Sequence, residues 1–189
     1  LALKIDVSNE DDTNRMAAET VKAFGRIDIL VNNAAIFINI QRHPFYEISA
    51  DEWDQVSAVN IKGPFLCAKA VFPHMKEQKS GKIINISSST AYWGTPNFLH
   101  YVASKAALIG MTRSLAREVG AFGGGVGSRD VAGVAAEAPA GIDQKTGSYG
   151  GCVAIVVLIV QHAGVFVLRN DVGVGKGALG LLRCEQISL

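Results

Sequence analysis

Two apolar runs of strand length restrict the folds open to this chain. They are Arg26-Ile27-Asp28-Ile29-Leu30-Val31 and Lys82-Ile83-Ile84-Asn85-Ile86-Ser87-Ser88. Both are near-continuous rather than alternating. That pattern suits parallel strands whose two faces are both covered. The first closes in Asn32-Asn33-Ala34-Ala35 and the second in Ser87-Ser88-Ser89. An α/β fold follows, and ligands of open α/β sheets bind at the carboxyl ends of the strands. The polar residues at those two ends are therefore candidates by position.

The segments around these runs read as one further strand and three helices. Residues 2–7 alternate and predict a strand. Ser8 with Asp11 approximates a capping box, for a helix carried by Met16, Ala17, Thr20, Val21 and Phe24 and stopped by Gly25. Residues 36–48 read as a loop. Ser49-Ala50-Asp51-Glu52 is a capping box for a long helix bearing Trp53, Val56, Val59, Phe65 and Leu66. Gly63-Pro64 interrupts that helix soon after Asn60, and Pro64 predicts a kink because it removes an internal hydrogen bond. Pro73 and Lys79-Ser80-Gly81 are expected to end it. Residues 101–119 predict the third helix, with the small residues Ala103, Ala106, Ala107 and Gly110 on one side.

Within that third helix, Tyr101 and Lys105 are four residues apart and share a face. A phenol beside an ammonium has a definite use. Reduction of a carbonyl leaves an alkoxide that needs a proton, and a group titrating near the working pH supplies it best. Free tyrosine titrates near ~10. An ammonium about 6 Å away, at an effective dielectric of about 20, favours the phenolate by roughly 2.8 kcal/mol, or about two pKa units. A Tyr–Lys pair at this spacing is also common on solvated helix faces, so the ordered set Asn33, Asn60, Ser88, Tyr101 and Lys105 carries more weight than the pair.

This ordered set resembles the short-chain dehydrogenase/reductase family over roughly residues 1–120. The resemblance implies a partial Rossmann-like α/β fragment, a doubly wound parallel sheet. It implies an NAD(P)-dependent oxidoreductase that interconverts a secondary alcohol and a carbonyl, with NAD or NADP as cofactor. Tyr101 takes the role of acid/base, Lys105 lowers its pKa and holds the nicotinamide ribose, Ser88 bonds the substrate oxygen, and Asn60 holds a relay water. Asp6 and Val7 fall where the family contacts the adenine, and Asn33 near the ribose. Ala35 stands where the family pattern has Gly. Tyr92, Trp93, Phe98 and Leu99 suggest a bulky or aromatic substrate, or core packing. The helices bearing Asn60 and Tyr101 form a dimer interface in the family, so a homo-oligomer, dimer or tetramer, is expected of a full-length form. Related families use the same Tyr–Lys pair as epimerases and dehydratases. An inactive or merely dimerising remnant is the main alternative reading. A serine hydrolase built on Ser88 and His100 is another, although no Gly-x-Ser-x-Gly elbow accompanies them.

The resemblance implies two strands and a Gly-rich phosphate loop ahead of Leu1, and the chain does not begin with Met. In the family strand order 3-2-1-4-5-6-7, residues 2–7 would be an unpaired edge. Past Gly120 the text changes: six of the 20 glycines lie in residues 1–120 and fourteen in 121–189. Residues 121–189 therefore read as an atypical Gly-rich tail, frame-shifted or poorly ordered. Two features there invite misreading. Gly175-Lys176-Gly177-Ala178-Leu179-Gly180 fits a dinucleotide fingerprint but leaves no room for the helix and strand that should follow. The apolar run from Cys152 to Leu168 is broken by Gln161-His162, and reads as a strand pair rather than a membrane span.

Composition excludes other classes. The chain of 189 residues is 49% hydrophobic and 19% charged, which is globular in character. A net charge of +1 gives no footing for a nucleic-acid partner. The three cysteines (Cys67, Cys152, Cys184) form no metal spacing and suit a reducing compartment. The start has no signal-peptide pattern, and a cytoplasmic location is expected. The four histidines (His43, His74, His100, His162) show no paired ligand spacing, so no metal is expected.

Overall fold

The computed structural model describes residues 1–37, 40–119, 125–129, 153–159 and 164–170. In chain order the elements are β1 (Ala2–Leu3), α1 (Glu10–Phe24), β2 (Ile29–Asn32), a 3-10 turn (Phe45–Glu47) and α2 (Ala50–Ser57). A π-helical turn (Ala58–Lys62) leads into α3 (Gly63–Gln78), followed by β3 (Lys82–Ile86), α4 (Thr90–Trp93) and α5 (Leu99–Val119). The last three strands are β4 (Gly125–Arg129), β5 (Val153–Ile159) and β6 (Gly164–Asn170).

The six strands form one sheet in the order β1-β6-β5-β2-β3-β4. Strands β5, β2, β3 and β4 run parallel, with Leu30 beside Ile83 on one side and Val156 on the other. Strand β6 returns antiparallel to β5, and β1 pairs antiparallel with β6. The expected unpaired edge is thereby corrected. Residues 2–3 find backbone partners at Phe166 and Val165, because strand N–H and C=O groups must be satisfied by whatever ladder is on offer. The ladder is shorter than residues 2–7 because β6 begins at Gly164, one residue beyond its pair with Leu3. The run from Cys152 onward contains a strand pair, as its sequence suggests. The Gly175–Gly180 fingerprint lies outside the described residues.

Helix α1 buries Thr13, Met16, Ala17 and Thr20 on one face, and Gly25 ends it at φ 79°. Its cap is Asn9, whose side chain accepts from Asp12 N at 3.1 Å, and not Ser8. Ser8 is otherwise engaged, since its N–H and hydroxyl both donate to Asp6 Oδ1 at 2.8 and 2.7 Å. Helix α3 packs on α1 and β2, while α5 packs on β3 and β4. Ile5, Met16, Ile27, Leu30, Val71, Met75 and Ile83 lie in the core between these elements. Ser49 caps α2 as expected, accepting from Glu52 N at 3.1 Å.

The two proline expectations fare differently. At Gly63-Pro64 the helix is interrupted as expected: α2 gives way to a π turn that holds Asn60, and α3 begins at Gly63 with Pro64 in its first turn. Pro73 lies inside α3, which runs on to Gln78 and ends on Lys79 in the left-handed region. Among the described residues no helix is long and apolar enough to cross a membrane.

Candidate active site

The carboxyl end of β3 faces the first turns of α5, and this places Ser88 against Tyr101. Ser88 Oγ accepts from Thr90 N at 3.3 Å and from Thr90 Oγ1 at 2.9 Å. A hydroxyl has two acceptor sites and one proton. These contacts leave the Ser88 proton uncommitted, and Ser88 stands near enough to the Tyr101 phenol to favour its ionised form.

Lys105, one helical turn on, is almost fully buried, and its Nζ donates to Ile86 O at 2.8 Å. The Nζ lies 5.7 Å from the centre of the Tyr101 ring, close to the separation expected from sequence. The electrostatic consequence differs from that expectation. Burial pushes the Tyr101 phenol above its ordinary value, and the Ser88 hydrogen bond offsets only part of this. Burial also pulls the Lys105 ammonium down from 10.5 to about 8. Removal of water penalises the phenolate and the ammonium alike, and it is the leading cause of both shifts.

Asn60 is fully buried in the π turn. Its Oδ1 accepts from Ile36 N at 2.7 Å, and its Nδ2 donates to Ile36 O at 3.2 Å and to Ser104 Oγ at 3.1 Å. Ser104 in turn donates to Tyr101 O at 2.7 Å. Asn60 thus ties the segment after β2 to the helix that carries Tyr101. Wide i→i+5 turns of this kind recur at functional sites. Ser104 was not singled out from sequence, although its place between Tyr101 and Lys105 in one helical turn is a usable signal.

Asn33 is exposed at the end of β2, with its N–H on Val31 O at 3.1 Å. Asp6 is exposed as well, while Val7 is buried against α3. A Cβ on Gly63 would stand 2.8 Å from Val7 Cγ2, so glycine is what lets the start of α3 approach this closely. The same turn reaches β2, because Asn32 Nδ2 lies 3.4 Å from Pro64 O. Asp6-Val7 and Asn32-Asn33 therefore lie on two sides of the beginning of α3.

Beneath these groups runs a buried polar ladder that sequence reasoning missed. Asn32 Nδ2 donates to Asn85 Oδ1 at 2.8 Å, Asn85 Nδ2 to Thr112 Oγ1 at 2.8 Å, and Thr112 Oγ1 to Leu108 O at 2.6 Å. It pins β2, β3 and α5 together behind the site. Around Tyr101, the Phe98 ring stacks at 4.7 Å and 22°, and Phe37 tilts against it at 5.1 Å. Phe98 is buried, whereas Phe37, Tyr92, Trp93 and Leu99 are exposed. Cys67 is buried, and its thiol is pushed up to about 12 by desolvation, which makes it an inert core thiol.

A protein-family model described as short chain dehydrogenase matches residues 1–139, and so runs beyond Gly120. The chain belongs to that family. It is 39% identical over 122 residues to the 3-oxoacyl-acyl-carrier-protein reductase FabG of Staphylococcus epidermidis, covering 65% of this chain and 49% of that protein. It is 43% identical over 118 residues to BbsD of Thauera aromatica, a hydroxy(phenyl)methylsuccinyl-CoA dehydrogenase subunit, covering 62% and 46%. Among solved structures it resembles a short-chain dehydrogenase from Streptomyces avermitilis, with a TM-score of 0.61 and 33% identity over 67% of this chain and 45% of that one. It also resembles ElxO with NADP bound, with a TM-score of 0.61 and 34% identity over 66% and 49%. The fold is a partial Rossmann-type α/β sheet. The chain spans about half the length of the curated relatives it matches.

Proposed function

We propose that this chain carries the proton-transfer half of an NAD(P)-dependent oxidoreductase that interconverts a secondary alcohol and a carbonyl. The observation that carries the reading is the convergence of Ser88, Tyr101 and Lys105, with Lys105 Nζ 5.7 Å from the centre of the Tyr101 ring and Ser88 beside the phenol. In the reducing direction Tyr101 gives its proton to the forming alkoxide, and Ser88 then shares its own hydrogen bond between the phenolate and the substrate oxygen. Lys105 is charged at neutral pH, and its ammonium stabilises the phenolate left behind. With one of its three donors on Ile86 O, two remain for the hydroxyls of a nicotinamide ribose. We assign exposed Asn33 at the neighbouring strand end, and Asp6 with the backbone of Val7 across the start of α3, to the rest of the nucleoside. The cofactor, when bound, supplies or accepts the hydride.

Both amide protons of Asn60 are committed to protein groups, so its side chain serves a relay water only through the remaining lone pair of Oδ1. We assign it chiefly to holding Ile36 and Ser104 in place. Exposed Phe37 next to Tyr101, with Tyr92 and Trp93 nearby in sequence, favours a ketone carrying an apolar or aromatic group. A small-molecule substrate and a homo-oligomeric full-length form belong to the same reading.

The test is Tyr101→Phe in a form of the protein that turns over a ketone. The change removes only the hydroxyl that moves the proton, so kcat should fall by about 10²–10⁴-fold with the far-UV circular dichroism unchanged. Turnover near wild type would remove Tyr101 from the role of acid/base.

A further inference from the structure

The fold gathers three metal-ligand side chains that are distant in sequence. His43 Nε2 lies 3.0 Å from Glu52 Oε2, and His100 Nε2 lies 3.1 Å from Glu52 Oε1. The ligand atoms of the three residues all lie within 4.8 Å of one another. We propose that His43, Glu52 and His100 bind a Zn²⁺ ion, which fastens the segment before α2 to the first turn of α5. This reverses the sequence expectation that the histidines lack ligand partners. The histidine spacing is uninformative because the pair is assembled by tertiary structure, on either side of a carboxylate from the first turn of α2.

Two imidazoles and one carboxylate are a recurrent zinc donor set that leaves a fourth position open. Magnesium and calcium prefer oxygen ligands throughout. Bonds of about 2.0–2.2 Å to a tetrahedral ion hold neighbouring donor atoms roughly 3.3 Å apart. The two Glu52–His distances are near that spacing but run to different carboxylate oxygens, so the carboxylate must turn one oxygen between the two rings to hold a single ion. The remaining adjustment falls on His43, which lies outside any helix or strand.

Burial fits the same role. The His100 side chain is 1% exposed, and those of His43 and Glu52 are 23% and 25% exposed, so an ion would be shielded on one side and open to a water on the other. His100 Nδ1 has no hydrogen-bond partner among the described residues, so the ring's polar contact is the one its Nε2 makes with Glu52. The cluster adjoins the proposed reaction centre without entering it. His100 meets the Phe98 ring edge-on at 6.0 Å, Phe98 stacks on Tyr101, and Arg42, next to His43, lies 4.7 Å over Phe98. An ion here would fix the ring assembly beside Tyr101 and take no part in hydride or proton transfer.

Equilibrium dialysis of the purified 189-residue chain against Zn²⁺, with Co²⁺ as an absorbing substitute, tests this directly. The expected result is about one ion per chain with micromolar or tighter affinity, and Co²⁺ visible bands of a four-coordinate nitrogen–oxygen site. His43→Ala, a change outside regular structure, should weaken binding at least tenfold with circular dichroism unchanged. Glu52→Gln should do the same, and His74→Ala should leave binding intact. Three outcomes would overturn the proposal. They are no saturable binding up to about 100 μM Zn²⁺, affinity unaltered by His43→Ala, or a Co²⁺ spectrum dominated by thiolate charge transfer.

Discussion

Strands β2 and β5 lie side by side in the middle of the sheet and point the same way. At their shared carboxyl edge β2 ends in Asn32 and leads into Asn33, while β5 ends in Ile159 and leads into Val160-Gln161-His162-Ala163. The family resemblance places a Gly-rich phosphate loop after the strand beside β2. Here that place in the sheet is taken by a strand from late in the chain, with no glycine before Gly164. The contrast separates two requirements of a ligand site on a parallel sheet. A place in a parallel ladder needs only backbone N–H and C=O groups on an extended segment. A ligand site needs particular side chains, or glycine backbone, where the strand stops.

The largest consequence concerns cofactor affinity. If β5 fills the sheet without supplying a phosphate loop, the 189-residue chain lacks several charge-assisted hydrogen bonds, each worth about 1.5–3 kcal/mol. NADH and NADPH should then bind more weakly than about 1 mM. Calorimetry or nicotinamide fluorescence decides it. Saturable binding below about 100 μM would mean that the β2–β3–α5 half assembles a working site without that loop.

The second test attacks the ladder itself. Val156 pairs with Leu30 on one side and Val167 on the other. Val156→Pro removes an N–H and forces a ring into a central strand, which should cost ~3 kcal/mol or more. A loss on that scale in urea denaturation fits a hairpin inserted between β2 and β1. An unchanged midpoint would detach the hairpin from the sheet.

The same contrast governs what could be read from sequence. The runs ending at Asn32 and before Ser88 were legible because buried parallel strands are apolar throughout, and the Ser88–Tyr101–Lys105 set because its members are close in the chain. The place of the hairpin was not legible, since any apolar strand can fill a ladder. The direction of the Tyr101 shift was missed because spacing gives the Lys105 distance but not the burial. The Asn32–Asn85–Thr112 ladder and the His43–Glu52–His100 cluster join residues far apart in sequence, where periodicity carries no information.

A third test probes the polar half. Asn85→Ala would leave the buried amide of Asn32 without its best partner, and Asn32 Oδ1 already has none among the described residues. Thr112 would lose its donor as well. A cost of about 2–3 kcal/mol in folding stability is expected. A change below about 0.5 kcal/mol, the size of a surface substitution, would mean that water replaces the ladder and that β2 and β3 are less tightly joined than these bonds imply.

The smallest expected effect comes from Lys105, and its sign is specific. Burial lowers this ammonium from 10.5 to about 8 in the folded chain. Between those values the unfolded chain binds more protons than the folded one. Stability must therefore rise with pH across that window, and this group contributes no slope well below it. Tyr101 acts in the opposite sense, because its raised value makes the folded chain hold its proton longer, but that begins only near pH ~10. Urea denaturation between about pH 7.5 and 9.5 isolates the lysine. A gain of roughly 1–2 kcal/mol is expected over that range, and Lys105→Met should remove the slope while raising stability at neutral pH. A flat profile in the wild type would show that water reaches the Nζ. The ammonium would then be freer to lower the Tyr101 phenol than its burial beside Ile86 implies.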